Sequence, residues 1–419
     1  MKRSSVIIAL EICAIAALFV SWSFQRPNSR QVTVGNASEH FIRWVDFDVT
    51  ADAMTQAFRY DVDTCQQDLH LNWVDLLAYL GARYGGDFSH YQASDMTEAA
   101  EQLQNGVTVE ELTKNMTSFA YYREAYGAVL DGMVGLYEIE IPKSEAPAFA
   151  LADAQIQEGD PAANTSYATT PPTTAATTGT DTIDSASQAS PETSASSNTQ
   201  TSLEPPAPTL SDPDAVPLTP SGEEKVWVTK YGLKAFLPLA KNFPSHYDDF
   251  GVSRSYGYRR RHLGHDMMGQ TGTPVIAVES GRVEALGWNQ YGGWRIGIRS
   301  FDGKRYYYYA HLRKDYPYQS NLKEGSLVTA GDVIGYLGHT GYSSTENTNN
   351  IAEPHLHFGL QLIFDESQKE GNNEIWIDCY ELIRFLAINR SETVKKDGTK
   401  EWTRVYEMKD SSLEQFSTQ

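Results

Sequence analysis

His355-Leu356-His357-Phe358-Gly359-Leu360 alternates polar and apolar side chains with a period of two. Successive side chains of a strand point to opposite faces, so both imidazoles share one face while Leu356 and Phe358 turn into a core. Two imidazoles side by side serve a metal or a shared proton, or else decorate a surface strand. Upstream, Val275-Ile276-Ala277-Val278, Arg295-Ile296-Gly297-Ile298 and Tyr306-Tyr307-Tyr308-Tyr309 are β-rich runs separated by glycine-containing turns. Closely spaced strands with glycine punctuation predict an antiparallel β domain. Downstream, Tyr380-Glu381-Leu382-Ile383-Arg384-Phe385-Leu386 is apolar at helical spacing and predicts a helix packed on that domain, which extends over residues 223–390. The polar, charged stretch 391–419 predicts a loose extension.

The rest of the chain differs in texture. Its 419 residues suffice for two ordinary domains and an unfolded segment. Residues 40–143 read as a small, mainly helical domain, with Trp73, Leu76, Leu77 and Leu80, then Leu103, Val107, Leu112 and Met116, at helical spacing. The run Tyr121 to Leu130 reads as a packed core helix, with a sugar-stacking groove as the sharper alternative. Asp75 and Asp87 are the only hint of a glycosidase pair there, and their spacing gives no reason for them to converge. Residues 144–222 change abruptly to Ala, Ser, Thr and Pro and cannot offset the entropy of ordering, which predicts a disordered, extended linker. Read as a tether between two domains, it gives the β domain reach.

At the N-terminus, Lys2 and Arg3 precede an apolar run from Val6 to Trp22. This is near the roughly 17 to 25 residues that span a bilayer. Residues 1–24 therefore predict a single membrane helix, an uncleaved anchor in preference to a cleaved signal, with Glu11 the discordant residue. The basic pair stays in the cytoplasm, which puts the bulk of the chain on the extracytoplasmic, cell-wall side of the cell membrane. A net charge of −20 excludes nucleic acid as the partner, because phosphates are held by clustered Lys and Arg. Of three cysteines, Cys13 lies in the apolar run, so no disulfide framework exists, and Cys65 and Cys379 read as free buried thiols.

The chemistry concentrates in three histidine-bearing segments of the β domain. His262-Leu263-Gly264-His265-Asp266 separates an imidazole from a carboxylate by four, an even spacing that puts both on one side of a strand and suits zinc. Tyr309-Ala310-His311-Leu312 closes the tyrosine run, and His355-Leu356-His357 follows. With Gly272-Thr273-Pro274-Val275, the glycines 325 and 331, Ile334-Gly335, Thr340-Gly341, and a shortened echo of an opening motif in Ser255-Tyr256-Gly257-Tyr258-Arg259, these segments resemble the lysostaphin/LytM-type peptidoglycan metallo-endopeptidases over residues 226 to 364.

The resemblance implies that His262, Asp266 and His357 bind one Zn²⁺ and that His311 and His355 act as the catalytic histidines. It implies that Tyr256 steadies the oxyanion, that the substrate is a stem or cross-bridge peptide of peptidoglycan, and that the fold is a LytM-type antiparallel sheet within an α+β multidomain chain. The alternative is a catalytically silent LytM module, a scaffold or activator beside a membrane, divisome or sporulation protein partner. His265 has no role in the pattern and is expected to line the cleft as a bystander. Residues 343–353, inserted between Gly341 and Pro354, are expected at the groove edge, where they restrict the substrate or close the site.

Overall fold

The structure, a computed structural model, describes residues 45–146, 224–240, 246–254, 260–369 and 373–413. The expected membrane helix 1–24, nearly all of the linker 144–222, and Tyr256 lie outside these residues. Among the described residues no helix is long and apolar enough to cross a membrane.

The N-terminal segment folds as helices α1 (Ala51–Thr64), α2 (Trp73–Tyr84), α3 (Ala93–Gln104), α4 (Val109–Thr113) and α5 (Phe119–Leu130). Their limits follow from local chemistry. The Thr50 side chain accepts from Ala53 N at the start of α1, Asn72 accepts from Val74 N and Asp75 N at the start of α2, and Gly85 ends α2 in the left-handed region at φ 65°. Trp73, Leu76, Leu77 and Leu80 are buried, as their spacing predicts. The run from Leu103 to Met116 is not continuous: Gly106, at φ 94°, turns the chain, and a Thr108–Glu111 capping box restarts it as α4. On α5, Tyr122 and Tyr126 belong to the core, the bland reading of that stripe. Asp75 is engaged by Arg123, whereas Asp87 caps the turn Phe88–His90, so the two acids form no pair.

After α5 the chain forms β1 (Val134–Pro142), inside the segment expected to be mainly helical. Antiparallel to it runs β2 (Lys225–Leu233), from Val134↔Leu233 to Pro142↔Lys225. Residues 143–224 therefore leave and re-enter at neighbouring ends of one strand pair, where partner Cα atoms lie about 5 Å apart. That geometry corrects the tether reading, because the helices and the β region are joined by paired strands rather than hung on the linker.

The β region continues with β3 (Ser253–Arg254), β4 (Arg260–Arg261), β5 (His265–Met268), β6 (Pro274–Ile276), β7 (Gly281–Asn289), β8 (Gly293–Ser300), β9 (Arg305–Ala310), β10 (Leu327–Val328), β11 (Val333–Tyr336), β12 (His355–Leu362) and β13 (Ile375–Ile377). The main sheet has the order β10-β7-β8-β9-β12-β13, with β5 also on β12, and its pairs are antiparallel. Helix α6 (Tyr380–Leu386) follows where its periodicity predicts it. The expected loose extension is instead folded as β14 (Thr393–Lys395), β15 (Trp402–Arg404) and β16 (Met408–Lys409), with β16 pairing β1.

Helices and sheet share one core. Phe385 of α6 packs on Phe58 of α1 and Trp73 of α2, with ring centroids 5.9 and 5.7 Å apart. Arg305 on β9, fully enclosed, donates to Ala128 O in α5 at 3.0 Å and grips Glu279 at 2.8 Å through both Nε and Nη2. Neither Cys65 nor Cys379 is in a disulfide; Cys379 is buried and Cys65 half-buried.

Candidate metal centre

Strand β12 carries the site because β5 and β9 flank it. His357 pairs with Asp266 on one side and Ala310 on the other, while Phe358 pairs with His265 and Tyr309. Asp266 and His357 thus sit side by side on one face, and Leu356 and Phe358 are fully buried behind them, as the alternation predicts. His262 arrives by another route. It precedes β5 on a turn and is brought to Asp266 by Leu263-Gly264, not by alternation along one strand. Gly264 allows this: a Cβ there would lie 2.5 Å from His357 Cε1 and 2.8 Å from Phe358 O.

Three potential ligand atoms converge. His262 Nε2 lies 3.1 Å from Asp266 Oδ1 and 3.0 Å from His357 Nδ1, and His357 Nδ1 lies 3.0 Å from Asp266 Oδ1. A tetrahedral zinc with ligands at about 2.0–2.1 Å has ligand-to-ligand edges of about 3.3–3.4 Å, so this triangle fits one face of such a site after a small expansion. Among the described residues this trio is the group of His, Cys, Asp or Glu side chains able to hold a metal.

The surroundings fix the ligands. His262 Nδ1 faces Asp249 Oδ1 at 3.1 Å and Asp249 O at 3.3 Å, both acceptors, so the proton sits on Nδ1 and Nε2 is free for a metal. Arg254 bonds Asp249 and lies 3.3 Å from Asp266 Oδ2. Burial disfavours the charge on His262, but the hydrogen bonds and charges of Asp249 and Asp266 outweigh it and raise its pKa to about 9. Burial likewise opposes ionisation of Asp266, yet His262 and His357 hold it far below the carboxylate range. His357 is pushed down, chiefly by burial.

Two more imidazoles complete the cluster. His311 follows β9 at φ 61°, an uncommon conformation for a side-chain-bearing residue, held by its N–H to Gly292 O at 2.7 Å and its Nδ1 to Thr340 O at 2.9 Å. His355 Nδ1 lies 2.8 Å from Glu353 O, and its Nε2 is 3.8 Å from Asp266 Oδ1. A carbonyl only accepts, so both histidines carry their proton on Nδ1 and keep an Nε2 lone pair. Their rings are 4.8 Å apart, and His311 is 5.8 Å from His357. Burial, with His355 and His357 nearby, drives the His311 pKa well down and keeps its imidazole neutral.

The cluster opens into a groove of about 810 Å³ lined also by Tyr306, Tyr308, Arg295, Trp376 and Tyr342. Tyr342, whose ring lies 5.8 Å from His311, was not singled out in the sequence, where no motif marks it. His265 is not in this groove. It faces away on β5, with Nε2 2.7 Å from His246 Nδ1 and its ring against Tyr380, and burial together with His246 pushes its pKa to about 3. The insert does not close the groove either. Asn347 accepts from Trp294 Nε1 and Asp315 N, each at 2.9 Å, and none of residues 343–353 is among the lining residues.

Two imidazoles and one carboxylate with one side open form the donor set of a catalytic rather than a structural metal centre, here on an antiparallel sheet with two further histidines beside it. Residues 260–370 match peptidase family M23, so the chain carries a peptidase domain of the lysostaphin/LytM type. It is similar to the L-Ala–D-Glu endopeptidase of Bacillus subtilis, 36% identical over 160 residues that make up 38% of this chain and 45% of that one. To lysostaphin of Staphylococcus simulans it is 42% identical over 98 residues, 23% of this chain and 17% of that one. The solved catalytic domain of that lysostaphin is 34% identical, with 31% of this chain and 84% of that chain covered at a TM-score of 0.24. The chain spans less than half the length of these two curated relatives.

Proposed function

We propose that this chain is a zinc-dependent endopeptidase that hydrolyses peptide bonds in the stem or cross-bridge peptides of peptidoglycan. One observation carries the reading: His262 Nε2, Asp266 Oδ1 and His357 Nδ1 meet within 3.0–3.1 Å of one another, next to two histidines with free Nε2 lone pairs. Zinc, held by those three atoms, supplies a Lewis acid that polarises the scissile carbonyl and acidifies water. The protein's own part is proton handling and positioning. His311, neutral at physiological pH, accepts a proton at Nε2, and the Thr340 carbonyl steadies the imidazolium through Nδ1–H. His355, held the same way by Glu353 O, is a second acceptor at its own Nε2, and the histidine that takes up the water proton returns it to the leaving amine. Asp249 orients His262, and Arg254 restrains the second oxygen of Asp266. The groove holds an extended peptide across β12 and β9. Tyr256 is assigned to the oxyanion on the sequence resemblance alone.

We place the chain on the cell-wall side of the membrane, anchored by Val6 to Trp22, since Lys2 and Arg3 precede that run and peptidoglycan lies outside. The deciding experiment measures zinc content and release of new peptide ends by the full chain, beside His357→Ala and a chelator. The full chain is needed because the helices share the core of the β region. Stoichiometric zinc and cleavage lost in both controls support the reading; bound zinc without cleavage supports a scaffold role instead.

A further inference from the structure

Arg295 on β8 lines the groove and has no carboxylate partner among the described residues. Its neighbour Ile296 pairs with Tyr309 and is buried in the core, so Arg295 points to the opposite face, the one that bears the metal ligands. On that face Ala310 lies between it and His357, since His357 pairs with Ala310 on β9 and β8 is the next strand. At about 4.8 Å per strand, the Arg295 backbone is about 10 Å from that of His357, with one methyl group between them. The guanidinium lies beside the Tyr306 hydroxyl, which crosses Gly297 where a Cβ would be 1.9 Å away.

Several of the neighbouring charges are already paired. Glu284, in the same groove, is taken by Arg299 and Lys369, while Arg254 is taken by Asp249 and Asp266. Arg295 makes no ion pair with any described residue, and its Nε is buried without a hydrogen-bond partner. A guanidinium that lines the groove beside Tyr306 and Tyr308, with no carboxylate partner among the described residues, suits a planar carboxylate.

We propose that Arg295 is a carboxylate-binding subsite that recognises an acidic group of the substrate peptide, within about three extended residues of the cleaved bond at about 3.3 Å per residue. The proposal rests on the peptidase reading above and deepens it. Two sources of this chemistry exist in a stem peptide: the α-carboxylate of D-glutamate and a free carboxylate of a diamino acid at the third position. The test uses the full chain and three synthetic stem peptides, one with both carboxylates free and one amidated at each. Binding to the metal-free protein is followed by tryptophan fluorescence, and cleavage by the zinc-loaded protein is measured alongside. The expected result is that amidation at one of the two positions weakens binding about ten- to hundredfold, the worth of a charge-assisted hydrogen bond. Arg295→Met should erase that discrimination and Arg295→Lys should restore part of it. Equal binding of all three peptides by the native protein, or equal loss for all three in Arg295→Met, overturns the subsite. Cleavage without discrimination leaves the peptidase reading standing and removes the subsite, whereas discrimination without cleavage does the reverse.

Discussion

His262 can offer Nε2 to a metal because Asp249 occupies its Nδ1, so the fate of one ligand is set by a residue that is not a ligand. Asp249→Asn should lower zinc affinity about 10- to 100-fold, the usual cost of losing such a support, with the fold intact, as read by competition with a chromogenic chelator. Protonation tells the same story. In the metal-free chain the His262 pKa, raised from 6.5 to about 9, means that folding favours the imidazolium. Its contribution to stability is therefore full below 6.5 and is lost as pH rises through about 9. Zinc needs the neutral form and must displace that proton, so its apparent affinity should climb with pH up to about 9. Melting temperatures with and without chelator should accordingly diverge between pH 6.5 and 9, and parallel curves would place the proton elsewhere. Gly264→Ala is the steric counterpart. Its methyl would collide with His357, so metal binding should fall while secondary structure is kept, by the same chelator assay together with circular dichroism. Much of this site was legible in the chain: period two placed His355 and His357, and the ordered motifs placed His262, Asp266 and His311. The sequence could not announce Asp249 or Tyr342, because each reaches the site through a turn that no periodicity encodes.

Elements meet through a few specific contacts, and Arg305 is the clearest of them. It begins β9, is only 2% exposed, and joins the α5 carbonyl of Ala128 to Glu279, which also accepts from the Tyr307 hydroxyl at 2.7 Å. Arg305→Met leaves the half-buried Glu279 without its enclosed cation, so unfolding in urea should show a loss of about 3–5 kcal/mol, the range for breaking a buried pair from one side. A loss below about 1 kcal/mol would mean that the pair is solvated in solution and does not bind the helices to the sheet. Strand β1 shows what element-scale reading misses. Tyr137, Ile139 and Ile141 alternate with Glu138 and Glu140, a strand signal in plain view, but it follows a strongly periodic helix, and the helical expectation for 40–143 runs over it. Its partner begins beyond the linker, at Lys225, and nothing local to either segment declares that they pair. The tail departs from its expected looseness for a similar reason, since β14 and β15 form a short hairpin while β16 and Asp410 are held by distant partners, β1 and Lys234 Nζ at 3.0 Å from Asp410 Oδ1.

For the whole molecule, the pairing of β1 with β2 decides what residues 143–224 are for. Because both ends are held in one antiparallel ladder, with Pro142 opposite Lys225, that segment contributes no reach to the peptidase domain and is not what joins it to the helices. Two consequences follow for the chain in solution. Protease nicking within 147–223 should give two fragments that co-elute on gel filtration in native buffer and separate only in denaturant, since the shared core and the ladder hold them together. Replacing 147–223 by a five-residue Gly/Ser turn should keep the fold and raise stability by about 2 kcal/mol, because loop closure cost grows as (3/2)RT ln n. Cleavage of a small soluble peptide should not change, as the described residues that line the groove all belong to the β region. Cleavage of intact wall sacculi is the informative contrast. If it too is unchanged, the segment serves something other than access to the wall; if it falls while the small peptide is still cut, the segment acts on the insoluble substrate without touching the chemistry. Separation of the nicked halves in native buffer would instead restore a tether joining two independent modules.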